Sequence, residues 1–229
     1  MALNQISEKL YLLPDLPRLP CSFFTRDGIT LAKALLGKVL VHDTPLGTVR
    51  GIITEVESYM GETDKGAHVY GGKRTERTEP MYHIGGTSYV YLIYGMYSCM
   101  NIAAMTEGIP QAVLLRSVVP ADEVSRQRMI QLRLGQLNRR QEKKNLPLYT
   151  LATCPPSVKN HLADGPGKLC IAMGITRADN DRDMTESHSF YVTEGVPVDS
   201  KKIQAGKRIG IDYAEEAADY LWRFYVEEL

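Results

Sequence analysis

Thr87-Ser88-Tyr89-Val90-Tyr91-Leu92-Ile93-Tyr94-Gly95-Met96-Tyr97-Ser98-Cys99-Met100-Asn101 is the stretch on which the fold turns. Aromatic and branched side chains fill both flanks of Tyr94-Gly95, where glycine lets the chain reverse, so the stretch predicts a β-hairpin with a tyrosine at its tip. A ring in that position faces water. A flat, amphipathic plate on a rigid two-stranded arm suits wedging between the stacked bases of a duplex. The plain alternative is a tyrosine-rich core hairpin with one ring exposed by chance, since single exposed apolar groups are common.

Around this hairpin lie 229 residues, 44% of them hydrophobic, enough for a sizeable core, and no linker divides them. Lys plus Arg (27) equals Asp plus Glu (27), so a strongly basic balance gives no argument for nucleic acid. The charges are segregated, however. Between Val124 and Lys144 stand Arg126, Arg128, Arg133, Arg139, Arg140, Lys143 and Lys144 against Glu142, whereas Asp212, Glu215, Glu216, Asp219, Glu227 and Glu228 gather near the end. A neutral protein with one basic face can still bind phosphate locally; a solvated helix face gives the same pattern. Cys21, Cys99, Cys154 and Cys170 lack CxxC spacing and the histidines lack HxH or HExxH, so the expectation is reduced thiols, a cytoplasmic location, no metal and no cofactor. No apolar run is long enough to span a membrane.

Along the chain, the proline-punctuated start reads as an irregular tail over 1–22, with one domain over 23–229. Leu31, Ala34 and Leu35 recur at helical spacing before Gly37, and Val39 to His42 and Thr48 to Ser58 read as strands joined at Pro45-Leu46-Gly47. Ala121 to Leu137 predicts a helix and the run through Lys144 a basic loop. Asp164 is a candidate cap for a helix opening at Gly165-Pro166-Gly167-Lys168, whose N-terminus could take phosphate. Phe190 to Val192 and Lys207 to Ile211 read as late strands, Asp179 to Glu186 as an acidic stretch away from nucleic acid, and Ala217 to Val226 as weakly amphipathic.

Glu55 and Glu57 share strand parity. A carboxylate at a strand end beside Tyr59 fits a general base in a cleft and equally an edge-strand glutamate that discourages aggregation; spacing leaves both open. Gly71-Gly72-Lys73-Arg74-Thr75-Glu76-Arg77 could bring amides and cations onto phosphates, and a solvated loop looks the same.

These residues together resemble the alkyladenine (methylpurine, 3-methyladenine) DNA glycosylase family. The resemblance is carried by Leu31 to Val41, by Glu55-Val56-Glu57-Ser58-Tyr59 with Ala67-His68, and by Tyr89 to Tyr97 with Met100-Asn101-Ile102. Val113-Leu114-Leu115-Arg116, Gly165 to Cys170 and Arg223-Phe224-Tyr225-Val226 follow in the family's order. It implies an α/β fold of the α+β type: one domain with a curved, mainly antiparallel sheet, peripheral helices and a protruding hairpin. It implies further a monomer that acts on damaged double-stranded DNA in bacterial cytoplasm at the nucleoid, without cofactor.

By position, Glu57 matches the family's water-activating glutamate and Arg116 an arginine near the water and the flipped nucleotide's phosphate. Tyr59, His68 and Tyr91 match aromatic pocket walls, whose electron-rich faces suit cationic alkylpurines. Asn101 matches an asparagine that disfavours guanine through its exocyclic amine. Tyr94 matches the intercalating tyrosine, with Met96, Lys73, Arg74, Thr75, Arg77 and Lys168 expected along the DNA. No lysine falls in the matched pocket to form a Schiff base, which implies a monofunctional enzyme. A catalytically silent damaged-DNA-binding protein is the alternative, and it would not need Glu57. Ser58 beside Glu57, Lys73 where arginine is expected and a longer segment Met105 to Pro110 depart from the family pattern.

Overall fold

The period-2 pattern of the hairpin is realised in a computed structural model that describes residues 16–93 and 95–229. β3 (Ser88–Ile93) and β4 (Tyr97–Ala104) pair antiparallel from Ser88↔Ile102 to Ile93↔Tyr97, and the Met96 amide donates to the Ile93 carbonyl at 3.1 Å to close the turn. Gly95 sits there at φ 66°, which glycine adopts without steric cost. Tyr94, the expected tip, lies outside the described residues, as does the expected tail up to residue 15.

β4 continues onto β5 (Gln111–Pro120), β5 onto β2 (Gly47–Tyr59), and β2 onto β1 (Val39–Thr44), which pairs with β6 (Phe190–Thr193), every pair antiparallel. The 13 residues of β2 are too many for β1 alone to cover. Its second half, Glu55 to Glu57, pairs instead with β8 (Arg223–Tyr225), itself edged by β7 (Gln204–Gly206). The result is one eight-stranded, curled sheet in an α+β domain.

A β-bulge decides which residues of β2 look where. The β2–β5 register shifts on both sides of Glu55, so Ile53 and Val56 both enter the main core although they differ in parity. Glu55 and Glu57 are thereby turned to the opposite face. Beyond the bulge one cross-strand row runs Glu57↔Leu114↔Asn101↔Tyr89 across four strands. The other parity supplies Val113, Leu115, Met100, Ile102 and Val90 to the core.

Helices cover that core face. α1 (Cys21–Phe24) brings in Phe24, and α2 (Gly28–Leu35) starts at Asp27, whose carboxylate accepts from the Ile29 and Thr30 amides. α2 lies so close to β2 that a Cβ on Gly28 would meet Ser58 Oγ at 2.8 Å. Ser58 therefore faces α2 and not the glutamate's side of the strand. α3 (Glu123–Glu142) is capped by Asp122 and buries Ser125, Met129, Ile130, Arg133 and Leu134. It runs five residues past the predicted end, so Arg139 and Arg140 are helical and not part of a loop. Two of its arginines are structural: Arg128 donates to the Thr48 carbonyl at 2.6 Å, and buried Arg133 to that of Leu162 at 3.2 Å. A short α4 (Pro156–Lys159) leads to α5 (Pro166–Met173).

Four further expectations change. Asp164 does not cap α5, since its carboxylate is held by His161 and Lys168 and the N-cap is Gly165 at φ 135°. The late strand is Gln204–Gly206 and not Lys207 to Ile211, because the Arg208 side chain turns inward to Asp64 and the Ile209 amide is taken by Glu57. The stretch from Ala217 ends in strand β8. Leu19, within the expected tail, is buried, and its amide donates to the Val192 carbonyl at 3.0 Å.

Candidate active site

Behind the bulge, Glu57 is fully buried, which excludes an edge-strand role for it. Its Oε1 accepts from the Ile209 amide at 2.8 Å and lies 3.1 Å from Arg116 Nη1; its Oε2 accepts from the Tyr59 hydroxyl at 2.9 Å. A carboxylate offers about four acceptor positions, and among the described residues Oε2 accepts from Tyr59 alone. Burial raises the Glu57 carboxyl above the ordinary glutamate range, against the opposing pull of Arg116, the Ile209 amide and Tyr59. The group is poised to take a proton.

Arg116 is fixed by a second carboxylate. Its Nε donates to Glu55 Oε1 at 3.0 Å, and Arg223 Nη1 donates to the same oxygen at 3.0 Å. One guanidinium thus bridges Glu55 and Glu57, which the bulge places on one face. Just beyond, the Gly165 amide donates to the Arg116 carbonyl at 2.8 Å, bringing the start of α5 beside it.

The rings stand next to this carboxylate. Tyr59, His68 and Tyr91 are each half-buried, with the His68 and Tyr91 centroids 4.7 Å apart at 79° and Tyr91 5.1 Å from Tyr89. His68 Nδ1 meets the Tyr89 hydroxyl at 2.9 Å. Burial first, then the Arg77 and Lys73 charges, lowers the His68 pKa to about 4, so the ring is neutral near pH 7. Arg77 also lies 5.0 Å over the Tyr91 ring. Burial, then Glu57, drives the Tyr59 phenol well above its usual value, so Tyr59 stays a donor. Asn101 is buried in the same row and donates to the Tyr89 carbonyl at 3.3 Å.

The other expected contacts spread around this centre. Met96 is 63% exposed beside the tip, and Lys73, Arg74, Thr75 and Arg77 lie on an exposed loop. Arg74 is held by both oxygens of Glu79, and the Thr75 amide donates to Thr78 Oγ1 at 2.9 Å. Lys168 Nζ donates to Asp164 Oδ1 at 3.0 Å. Sequence reasoning passed over Asp64, Tyr89, Arg208, Ile209 and Arg223. Tyr89 stood inside the quoted hairpin and Arg223 in a segment that carried the resemblance, neither with a role; nothing in the spacing of Asp64, Arg208 and Ile209 pointed to the site.

An α+β protein is thus defined by its only buried glutamate among the described residues, arginine-paired and set beside a wall of half-buried rings. The sequence profile of the family described as methylpurine-DNA glycosylase matches residues 22–229. The chain is 46% identical over 207 residues to a protein of Clostridium acetobutylicum, covering 90% of this chain and 92% of the relative. It is 41% identical over 212 residues to one of Clostridium perfringens strain SM101, with 92% and 96% covered. Both relatives carry the name "Putative 3-methyladenine DNA glycosylase". The chain belongs to the methylpurine-DNA glycosylase family, and is by that membership a hydrolytic DNA N-glycosylase.

Proposed function

We propose that this enzyme flips an alkylated or deaminated purine out of duplex DNA into the space beside Tyr59, His68 and Tyr91. There it hydrolyses the N-glycosidic bond with water activated by Glu57. The lesions are 3-methyladenine, 7-methylguanine, hypoxanthine and ethenoadenine. Duplex DNA hides the anomeric carbon within the stack, so extrusion precedes chemistry, with Tyr94 filling the gap.

The observation that carries the reading is the buried Glu57 carboxylate, whose Oε2 accepts from Tyr59 alone among the described residues. Water bound there gives its proton to Glu57 as oxygen attacks the anomeric carbon and the purine leaves through an oxocarbenium-like transition state. The ionised glutamate opposes that developing positive charge across a short, dry distance. The rings stack on the purine, and where the lesion is cationic the tyrosine faces add roughly 2 kcal/mol when desolvated. Neutral His68 adds no repelling charge. Asn101, anchored to the Tyr89 carbonyl, stands at the floor of this face and disfavours a purine whose exocyclic amine it leaves unpaired. With water as the nucleophile no covalent lysine intermediate forms, so the enzyme is monofunctional and leaves an abasic site.

Duplex oligonucleotides containing hypoxanthine or ethenoadenine, and separately methylated DNA, are incubated with the wild type and Glu57→Gln, then treated with alkali. Cleavage by the wild type is expected, falling about 10²- to 10⁴-fold in the variant. Damage-specific binding without cleavage would instead mark a silent damaged-DNA-binding protein. Full activity in Glu57→Gln would remove the role given to that residue.

A further inference from the structure

Glu57 depends on a backbone amide, and that amide belongs to the residue after a buried arginine. Arg208 and Asp64 form an ion pair with both side chains fully shielded from solvent. Arg208 Nη2 donates to Asp64 Oδ1 at 2.8 Å and to the Ala217 carbonyl at 3.1 Å, while Nη1 donates to Asp64 Oδ2 at 2.5 Å and to the Ser58 carbonyl at 3.0 Å. The guanidinium carbon lies over two rings, 4.8 Å from the Tyr59 centroid and 4.9 Å from that of Trp222.

Asp64 has a second task. Its Oδ2 accepts from the Met60 amide at 3.0 Å and its Oδ1 from the Gly66 amide at 2.9 Å. The loop leaving β2 is thereby folded back so that His68 follows two residues later. One buried pair fixes the end of the glutamate's strand, the ring of Tyr59, the approach of His68 and the amide of Ile209.

We propose that the Asp64–Arg208 pair is a positioning device for the reaction: it holds the Ile209 N–H on Glu57 and the Tyr59 ring against the same carboxylate. This rests on the function proposed above. The hydrogen bonds of Arg208 go to Asp64, Ser58 and Ala217 and not to Glu57, so apart from its charge it acts through Ile209 and Tyr59. A lysine could keep the charge but not the planar four-partner fork.

The pH dependence separates positioning from mere support. Glu57 is faced by Arg116 from β5, by Tyr59 from its own strand, by Tyr91 and Cys99 across the sheet, by Arg208 from the loop, and by Glu55 through Arg116. An N–H bond to a carboxylate favours the ionised form, so losing the Ile209 amide moves the acid limb of the rate profile to higher pH.

Single-turnover excision is measured against pH for wild type, Asp64→Asn, Arg208→Lys and Glu57→Gln, at a temperature where circular dichroism shows each variant folded. Asp64→Asn and Arg208→Lys are expected to lose about tenfold or more in the rate at saturating enzyme, with the acid limb shifted upward and affinity for an abasic-site duplex unchanged. A normal rate and acid limb in both, with only the melting temperature lowered, would overturn the proposal. Should Asp64→Asn not fold, Arg208→Lys, which keeps the charge balance, decides it alone. Should neither fold at any temperature at which the wild type is active, the pair is scaffold and the proposal fails. If wild type and Glu57→Gln excise equally, it is the glycosylase reading of Glu57 that fails.

Discussion

Glu57 sits where charge is costly, and its chemistry follows from how that cost is met. Its raised carboxyl pKa means that the ionised fraction falls before pH reaches the ordinary glutamate range. Excision is therefore expected to decline on the acid side at a pH above that range, which a rate profile on hypoxanthine-containing duplex checks. For folding the sign runs the other way: a raised pKa gives stability that is present at low pH and lost as pH rises through the folded value. His68 opposes it. With its pKa lowered from 6.5 to about 4, its contribution is present above 6.5 and is lost as pH falls toward 4. The His68 ring protons in NMR are expected to titrate near 4, and Arg77→Ala to move that midpoint upward by removing a nearby cation.

At the scale of elements, the Asp122 cap of α3 should be worth about 1 kcal/mol, because its carboxylate takes the Ser125 amide at 2.6 Å that the helix cannot satisfy itself. Asp122→Ala is expected to lower the unfolding free energy by that much, read as a urea midpoint about 0.3 to 1 M lower with the slope unchanged. Elements written in local pattern were legible beforehand: the Tyr89 to Tyr97 hairpin, the strand carrying Glu57 and the helix before Gly37 each follow from spacing and a turn or stop. Glu57, Tyr59, His68 and Tyr91 stood out through family resemblance more than through spacing, which left an exposed glutamate equally open. The bulge at Glu55 was not legible, since a register shift depends on the partner strand. Asp64 and Arg208 were invisible for a similar reason, lying 144 residues apart with no motif joining them. Asp164 misled because a good capping residue found two closer partners, His161 and Lys168.

Across the whole molecule the charges cancel, yet they are sorted. Glu215 and Glu216 close on Lys65, and Asp219 on Lys207, so much of the acidic C-terminal stretch is spent on neighbouring lysines. Lys73 forms no ion pair among the described residues, while Arg74 is held by Glu79. Under the proposed function, Lys73→Ala should reduce the salt-dependence slope of duplex binding by about one, and Arg74→Ala by less; titrations at several salt concentrations measure both.

The same architecture sets a clock on synthesis. Glu57 and the Ile209 amide that holds it are separated by 152 residues, and β8, which covers the glutamate's strand, comes later still. At the usual pace of translation the ribosome needs roughly 8 to 30 s between them. A half-made chain therefore carries the carboxylate and the rings but not the contacts that arrange them, and its site stays incomplete until Ile209 and β8 have been made and have joined the sheet.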